Sequence, residues 1–548
     1  MDGTDLTFKD GVVHHFTAAL RTALTAAENR KALLSDFAAF RKSASDEGGA
    51  KEYVLVPGSD PSRARRLASL LVAQGVEVFR ADEAATTASP APPGKARAAT
   101  TPPRTYPAGS YIIPLGQPTS RLIRNLLDRD VGMDPDFLKK QEERRARLLP
   151  DQFYDITTWS LPALFDVDCV LSDLNLAGRR SRFDPDHLDT PEVKAATVAY
   201  LIPWGSAAAA AAAEATRLGV RVRVADDPFS LGGRRYGIGT AIIRVAENEP
   251  TLRNTLQTVA SKWGVEIVAA NSGFVDEGGI SLGSNQALHL KAPRVLLMWD
   301  APTSSLSAGW ARYVLERRFN QPVSTIRVST VRRVDLRQFD VIVMPQGNYE
   351  GVIGEGDVTR IKDFVRAGGT LITIGEASRW ASRDKVGLLS TDTELKDGRS
   401  DETTEAKKPD APKDDKTGFD YNRAITPEKP RPDVIAGAIL RGSLDTKHWL
   451  SAGLDAEFQV MVEGQRVFTP IKLDKGANVG VYATADKLGI SGILWKENKD
   501  SFAQKAFLIA EPLGMGHVIA FAEEPNFRAY SQASELLFMN AVLLGPAH

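Results

Sequence analysis

One short segment of the chain has the pattern that presents a catalytic side chain in α/β enzymes. Residues 368–380, GGTLITIGEASRW, are typical of a strand, a tight turn and a helix. The turn position that would carry a serine or cysteine nucleophile is Gly375 or Glu376. A carboxylate there could serve as a general base or a covalent nucleophile, and the start of a helix favours its charge. The alternative is that Glu376 only caps the helix, so we treat it as a candidate with a structural interpretation beside it.

Other polar side chains follow the ends of neighbouring predicted strands. In open α/β sheets, ligands bind beyond the carboxyl ends of the strands. We therefore expect these side chains to form a polar, charge-balanced rim that either binds a ligand or locks the last helix in place. The candidates for this binding rim are Asp300, Gln346, Asn348, Tyr349, Glu376, Arg379, Glu523, Asn526 and Arg528.

The sequence offers no standard metal or nucleotide motif. No histidine has a second ligand three or four residues further on, so no helical zinc motif is predicted and we expect neither a metal nor another cofactor. His517 lies at the predicted start of a strand, which favours a structural role. The Gly-rich residues 230–239 match neither the P-loop nor the dinucleotide fingerprint and predict a turn between two strands. The single cysteine, Cys169, excludes an internal disulfide and predicts a buried, inert thiol.

Composition excludes several classes of partner. The net charge is −1 and the basic residues are scattered, so no electrostatic pattern for nucleic acid is present. No run of about 18 apolar residues exists, which predicts that no segment spans a membrane. The first residues also lack the basic-then-apolar pattern of a signal peptide.

The chain of 548 residues is too long for one hydrophobic core, and the pattern of elements predicts several regions. Alternating strands and helices predict an α/β fold built of parallel-sheet, three-layer domains behind a helical segment. Within it, the run Ala207–Ala213 predicts a helix capped by Ser206. The predicted regions are a helical connector (1–48), an α/β region with a flexible Pro/Ala-rich loop at 84–106 (49–192), a second α/β region (193–291), and a last α/β domain with a disordered insertion at about 390–432 (292–548).

Six segments resemble one protein family, in the same order along nearly the whole chain. The region they resemble follows the catalytic domain in large bacterial carboxypeptidase A-type zinc metallopeptidases. Within it, residues 292–548 resemble the class I glutamine amidotransferase-like (flavodoxin-like) fold. The segments are DGTDLTFKDGVVHHFTAAL, YPAGSYIIPLGQPTSRLIRNLLD, YDITTWSLPALF, VIVMPQGNYEG, GGTLITIGEASRW and GHVIAFAEEPNFR.

The resemblance implies a function without catalysis. The His-x-x-Glu zinc motif of the peptidase and the cysteine of the amidotransferases are both absent from this sequence. We therefore expect a non-catalytic accessory or binding region, with a zinc carboxypeptidase catalytic domain as its partner, upstream or in trans. The resemblance also implies a periplasmic or secreted location, although the chain has no signal peptide. Two alternatives stay open, namely a hydrolase that uses Glu376 and a module that binds a small polar ligand or a glycan.

Overall fold

The computed structural model describes residues 5–48, 51–88, 103–130, 132–147, 149–172, 179–188, 190–402 and 431–548. It has a mixed α/β architecture of helices and several sheets. The chain divides into two compact units, and it passes between them several times. Unit 1 comprises Met1–Val54, Leu70–Asn125 and Val170–Phe183, and unit 2 comprises Leu55–Ser69, Leu126–Cys169 and Asp184–His548.

Unit 1 begins with the helical segment that the sequence predicts. Helix α1 (Phe8–Glu28) starts with a capping box, in which the Thr7 hydroxyl accepts a hydrogen bond from the Asp10 amide. Helix α2 (Arg30–Gly48) follows after the single residue Asn29. This region is therefore helical over most of its described length.

Unit 1 also contains most of a five-stranded sheet. Its strand Phe79–Ala81 runs antiparallel to both of its neighbours. A separate antiparallel pair joins Ala85–Ala88 to Pro103–Tyr106, so the two ends of the predicted flexible loop at 84–106 are paired strands. Residues 89–102 of that loop lie outside the described residues. The order in the five-stranded sheet is Asp168–Ser172, Glu52–Val56, Tyr111–Pro114, Phe79–Ala81 and Arg180–Arg182.

The first sheet of unit 2 corrects the parallel-sheet prediction for residues 193–291. The strands Ala199–Ile202 and Val222–Ala225, which the Ala-rich helix connects, are not neighbours, because Ala241–Arg244 lies between them and runs antiparallel to both. A strand–helix–strand pattern in the sequence does not reveal such an inserted strand. The sheet order is Val268–Ala270, Ala199–Ile202, Ala241–Arg244, Val222–Ala225 and Ala287–Leu290, and its paired strands are all antiparallel.

The Ala-rich helix, Ser206–Arg217, is capped differently from the sequence prediction. Its first amide, on Ser206, donates a hydrogen bond of 2.7 Å to the Asp60 carboxylate. Gly205 precedes the helix, and a Cβ atom at that position would lie only 2.9 Å from the Asp60 carboxyl carbon. Asp60, from a distant part of the sequence, therefore takes the capping role that the sequence assigned to the Ser206 side chain.

The Gly-rich residues 230–239 form the predicted turn. Strand Phe229–Leu231 pairs antiparallel with Arg234–Tyr236, and strand Glu277–Gly278 extends this small sheet. Gly232 and Gly233 at the turn have φ of 61° and 74°, which glycine adopts without strain. This prediction is confirmed.

The largest sheet holds ten strands and is parallel only in one half. Its first five strands are parallel, which agrees with the buried apolar runs of residues 294–380 and 516–521. The other half is antiparallel, so the prediction of an entirely parallel sheet is wrong there. The order is Val323–Arg327, Val295–Trp299, Val341–Met344, Thr370–Ile374, Gly516–Phe521, Ala506–Leu513, Ala477–Tyr482, Ile435–Leu444 and Glu457–Gly464, with Gly489–Ser491 beside Ile435–Leu444.

Further helices lie between these strands along the chain. The last one, Gln532–Leu543, is buried along almost its whole length. Among the residues described, no helix combines the length and the apolar character needed to cross a bilayer. The other helices are Pro61–Ala73, Ser120–Leu127, Pro135–Ala146, Leu161–Phe165, Leu252–Trp263, Ser305–Tyr313, Glu355–Arg366, Glu376–Ser382 and Lys496–Phe502.

Candidate functional site

The strand–turn–helix at residues 368–380 has the predicted form. Strand Thr370–Ile374 ends at Gly375, which has φ of 56°, and the helix Glu376–Ser382 follows. A Cβ atom at position 375 would lie 3.2 Å from Oε1 of Gln346, so the Gln346 side chain packs directly against this turn. The turn therefore brings together two of the predicted rim residues, Gln346 and Glu376.

Glu376 lies between two guanidinium groups. Its carboxylate is 3.4 Å from Nη1 of Arg379 and 3.7 Å from Nη1 of Arg466. Its side chain is 32% exposed, whereas that of Arg466 is only 12% exposed. Both of these contacts are ion pairs, so Glu376 is engaged with cations at the turn.

Asp401 holds the other side of Arg379. Its carboxylate accepts hydrogen bonds from Arg379 and, at 2.6 Å, from Nη1 of Arg383. Burial raises the pKa of Asp401, but the hydrogen bonds from these arginines outweigh burial and hold the pKa below its usual range. Asp401 belongs to the predicted disordered insertion at about 390–432, of which residues 403–430 lie outside the described part of the chain. The preceding residues, 390–402, supply a charged group to the site.

Two adjacent buried glutamates follow the last parallel strand. Glu523 is 5% exposed and lies 3.0 Å from Nη2 of Arg466. Glu524 accepts hydrogen bonds from the Ser307 hydroxyl and, at 3.1 Å, from the Asn526 amide. Burial raises the pKa of each carboxyl group to about 7, since the cation and the hydrogen bonds only partly offset the loss of water.

Ser307 connects this pair to the neighbouring loop. Its hydroxyl donates to Glu524 and accepts a hydrogen bond of 3.0 Å from the Gln346 backbone amide. Contacts thus run from Gln346 through Ser307 to Glu524, and from Glu376 through Arg466 to Glu523. The carboxyl ends of three parallel strands meet at this cluster.

The cluster contains buried polar atoms that have no partner among the described residues. Asn526 is fully buried, and its Oδ1 makes no hydrogen bond there. Its Nδ2 makes no hydrogen bond of good geometry, although it lies near enough to Glu524 to help lower the pKa of that carboxyl group. Oε1 of Glu523 is likewise buried and makes no hydrogen bond with the described residues. A buried polar atom without a partner costs about 1–3 kcal/mol, so such groups call for a physical explanation.

Four other predicted rim residues have separate roles. Tyr349 is fully buried, and its hydroxyl donates to the Pro345 carbonyl at 2.8 Å. Asn348 is exposed, and its Oδ1 accepts a hydrogen bond from the Glu350 amide. Asp300 and Arg528 pair with residues outside the cluster, Arg327 and Asp155. The structure therefore gathers Gln346, Glu376, Arg379, Glu523 and Asn526 into one network.

Sequence reasoning missed Ser307, Arg466 and Asp401. It also did not predict that Glu524 would link Ser307 to Asn526. Arg466 lies between the strands Glu457–Gly464 and Ala477–Tyr482 of the antiparallel half of the sheet, where the sequence offered no motif. Asp401 lies in a run of charged residues that resembles a solvated insertion. Glu524 directly follows Glu523 in the segment EEPNFR. Only the rule that ligands bind beyond the carboxyl ends of strands pointed to it.

The described residues do not assemble a nucleophile with a base at this turn. The Ser378 hydroxyl is fully buried and hydrogen-bonds to the Phe521 carbonyl at 2.9 Å and to Thr373 at 3.0 Å. His517 begins the strand that Phe521 ends, so it lies at the other edge of the sheet, where it packs against Trp449. Within the described ranges, no group of three or more His, Cys, Asp or Glu side chains could hold a metal ion. What the cluster offers chemically is a set of buried polar atoms, Oδ1 of Asn526 and Oε1 of Glu523 among them, whose hydrogen-bonding capacity is not used by the described residues.

A cavity of about 800 Å³ lies at the opposite edge, by the amino ends of the parallel strands. Lys291, Arg294, Asp340 and Met515 are among its lining residues. Arg294 and Asp340 form a two-pronged pair with distances of 3.0 and 3.1 Å. This cavity is a second place where a ligand could enter, and it provides a control for experiments on the rim.

No family model and no curated protein matches this chain. Among solved structures, a ThuA-like protein from Parabacteroides merdae aligns with 46% of this chain and 90% of its own, at 10% identity and a TM-score of 0.31. A ThuA-like protein from Bacteroides uniformis aligns with 46% and 89%, at 11% identity and a TM-score of 0.29. The β-galactosidase from Bacillus circulans sp. alkalophilus aligns with 46% of this chain and 31% of its own, at 12% identity and a TM-score of 0.26. Similarity at this level establishes neither a family nor a function for this chain.

Proposed function

We propose that this chain is a non-catalytic accessory region of a zinc carboxypeptidase-like protein and that its last domain binds a small polar ligand. In this proposal, residues 292–548 form a class I glutamine amidotransferase-like domain whose catalytic position has become a binding rim. The protein is exported, and its partner is a zinc carboxypeptidase catalytic domain, upstream or in trans. The sequence resemblance supports the family, and the geometry of the rim supports binding.

The unpartnered polar atoms at the rim carry the binding part of the proposal. The Asn526 side chain offers the two N–H donors of its Nδ2 and the acceptor Oδ1, and Oε1 of Glu523 offers a further acceptor. A ligand that supplies both donors and acceptors, such as a sugar hydroxyl pair or a primary amide, satisfies all three atoms. Charged ligands fit less well, because the cations and anions nearby already pair with one another.

Isothermal titration calorimetry tests this binding directly. Suitable probes are glucose, N-acetylglucosamine and L-glutamine, which present hydroxyl and amide groups. We expect at least one probe to bind the native protein and the Asn526→Leu variant to lose that binding. This variant should fold, because replacing an unpartnered buried amide by an apolar group of similar size is nearly neutral or stabilising.

The cavity at the opposite edge provides the matched control. The Arg294→Ala variant should bind the same probe as tightly as the native protein. If Arg294→Ala loses binding and Asn526→Leu retains it, the ligand enters the cavity and the rim proposal is wrong. If none of the probes binds, the binding part of the proposal is overturned.

The hydrolase alternative makes a different prediction for Glu376. If Glu376 is a general base or a covalent nucleophile, Glu376→Gln should lower the hydrolysis rate of any substrate found by roughly 100-fold or more. Our proposal predicts an unchanged rate, because both contacts of Glu376 are structural ion pairs. The accessory part has its own test in the DNA upstream of Met1. An in-frame domain with His-x-x-Glu supports a partner in the same chain, whereas an immediate stop codon behind a separate promoter contradicts that arrangement and leaves only a partner in trans.

A further inference from the structure

The first two helices form a long rod with an exposed apolar face. Across their junction, the Asn29 amide donates to the Thr25 carbonyl and the Leu33 amide donates to the Asn29 carbonyl, both at 3.0 Å. These i-to-i+4 bonds flank Asn29, whose φ of −97° and ψ of 9° depart from helical values, and the rod from Phe8 to Gly48 is at most about 60 Å long at 1.5 Å per residue. Every residue from 12 to 40 is exposed.

The apolar side chains of the rod follow a heptad repeat. Apolar residues recur at alternating steps of four and three, which is the spacing of a coiled-coil seam. A second stripe, one residue further along, widens this seam into a face. The seam positions are Val12, Phe16, Ala19, Ala23, Ala26, Arg30, Leu33, Phe37, Phe40 and Ala44, of which Ala44 is already buried within its own chain, and the adjacent stripe has Val13, Leu20, Ala27 and Leu34.

The exposed apolar area on the rod is large enough for a stable interface. The seam residues Phe16, Phe37 and Phe40 are 68%, 61% and 53% exposed. At 150–250 Å² for a whole aromatic side chain, these three rings alone expose roughly 270–460 Å². A standard protein interface buries roughly 800 Å² per partner, and the exposed leucines and valines of the rod supply the remainder.

The charges of the rod favour a helix of its own kind over a membrane surface. Residues 5–48 contain six basic and six acidic side chains, so two copies do not repel one another. Helices that lie on anionic membranes instead concentrate Lys and Arg on their polar face. The heptad spacing likewise matches a partner helix that repeats the same pattern.

The rod has a fixed attachment to the rest of its unit. Arg121 donates to the Phe40 carbonyl at 2.8 Å and to the Ser43 hydroxyl at 3.0 Å, and pairs with Glu47 at 2.6 Å. Close to this point, a Cβ atom at Gly48 would overlap the Leu115 carbonyl, so the end of the rod lies against the backbone. A rod held at one end presents its apolar face in a defined direction.

We propose that the rod pairs with the rod of a second copy of this chain and makes the protein a homodimer. The two copies bury the exposed part of the seam, from Val12 to Phe40, and the adjacent stripe in a two-fold interface. Arg30, the one charged residue among the ten seam positions, selects the register, as single polar seam residues do in coiled coils. This interface is independent of the ligand rim in the last domain.

Analytical ultracentrifugation of the purified chain tests the dimer. We expect a species of twice the chain mass across the micromolar range. The double variant Phe16→Glu, Phe37→Glu should sediment as a monomer, because it places charges on the seam. Since both rings are exposed in the single chain, the variant should keep the native far-ultraviolet circular dichroism spectrum.

A matched control carries the same added charge on the opposite face of the rod. Thr25→Glu together with Ala39→Glu should remain dimeric, because both positions face away from the seam. The proposal is overturned if the native chain is monomeric throughout, or if the seam variant dimerises as strongly as the control. A monomer that binds a lipid vesicle or a different protein through this face would equally exclude the second copy as its partner.

Discussion

At the scale of single residues, burial dominates the behaviour of the two glutamates at the rim. A folded-state pKa of about 7 against the ordinary 4.5 means that folded Glu524 holds its proton where the unfolded chain has lost it. The contribution of this group to stability is therefore present below about pH 4.5 and declines as the pH rises to about 7. The full decline corresponds to about 3 kcal/mol.

The Glu524→Gln variant isolates this effect, because glutamine imitates the protonated acid. We expect it to be more stable than the native protein above pH 7 and similar to it below pH 4.5, so the difference grows with pH across that window. Thermal unfolding across this range measures the difference. The exposed control Glu355→Gln should follow the native profile. A constant difference at all pH values would show that Glu524 is not protonated in the folded chain.

Asp401 provides a second test at the residue scale. Removing its charge in Asp401→Asn leaves Arg379 and Arg383, which are 18% and 20% exposed, without their shared anion. We expect a loss of about 2 kcal/mol in stability, since breaking a partly buried charge network is costly. The nearby pair of Asp397 with Arg399 is far more exposed, so Asp397→Asn should cost less than about 0.5 kcal/mol. Equal thermal midpoints for the two variants would contradict the assignment of Asp401 to an ordered network.

At the scale of elements, local patterns predict strands well and their partners poorly. The runs that became Val295–Trp299, Val341–Met344 and Thr370–Ile374 consist of apolar residues and, in the last run, two buried threonines, and the burial of both faces explains why the sequence identifies them. The strands of residues 193–291 have two to four residues each, too few to reveal direction or neighbours. The rim shows the same limit, because Ser307 and Glu524 are 217 residues apart in the sequence and no local signal joins them.

The capping of the Ala-rich helix tests this distinction between local and distant contacts. Asp60 accepts the Ser206 amide and also lies near the buried Arg63, so Asp60→Ala removes both a cap and a buried charge. We expect a loss of about 2–3 kcal/mol, visible as a lower thermal midpoint. Ser206→Ala retains the backbone amide that makes this bond and should cost less than about 1 kcal/mol. The reverse order would mean that the Ser206 side chain is the true cap.

At the scale of the whole molecule, the larger unit is organised around an extensive apolar core. The core around the parallel strands contains buried residues from both halves of the ten-stranded sheet. Within the described ranges, no cluster of ligating side chains could bind a metal ion. Stability therefore should not depend on zinc, in contrast to small domains whose fold forms only around the metal.

Chelation makes this whole-molecule prediction testable. The thermal midpoint of the purified chain should be the same before and after dialysis against EDTA, because no structural ligand set is removed. Elemental analysis should accordingly find less than stoichiometric zinc. Adding zinc to the dialysed chain should not raise the midpoint beyond the small effect of surface binding, since a specific site stabilises in proportion to its occupancy. A midpoint that falls on chelation and recovers with one equivalent of zinc would require a metal site and would overturn the proposal of a metal-free accessory region.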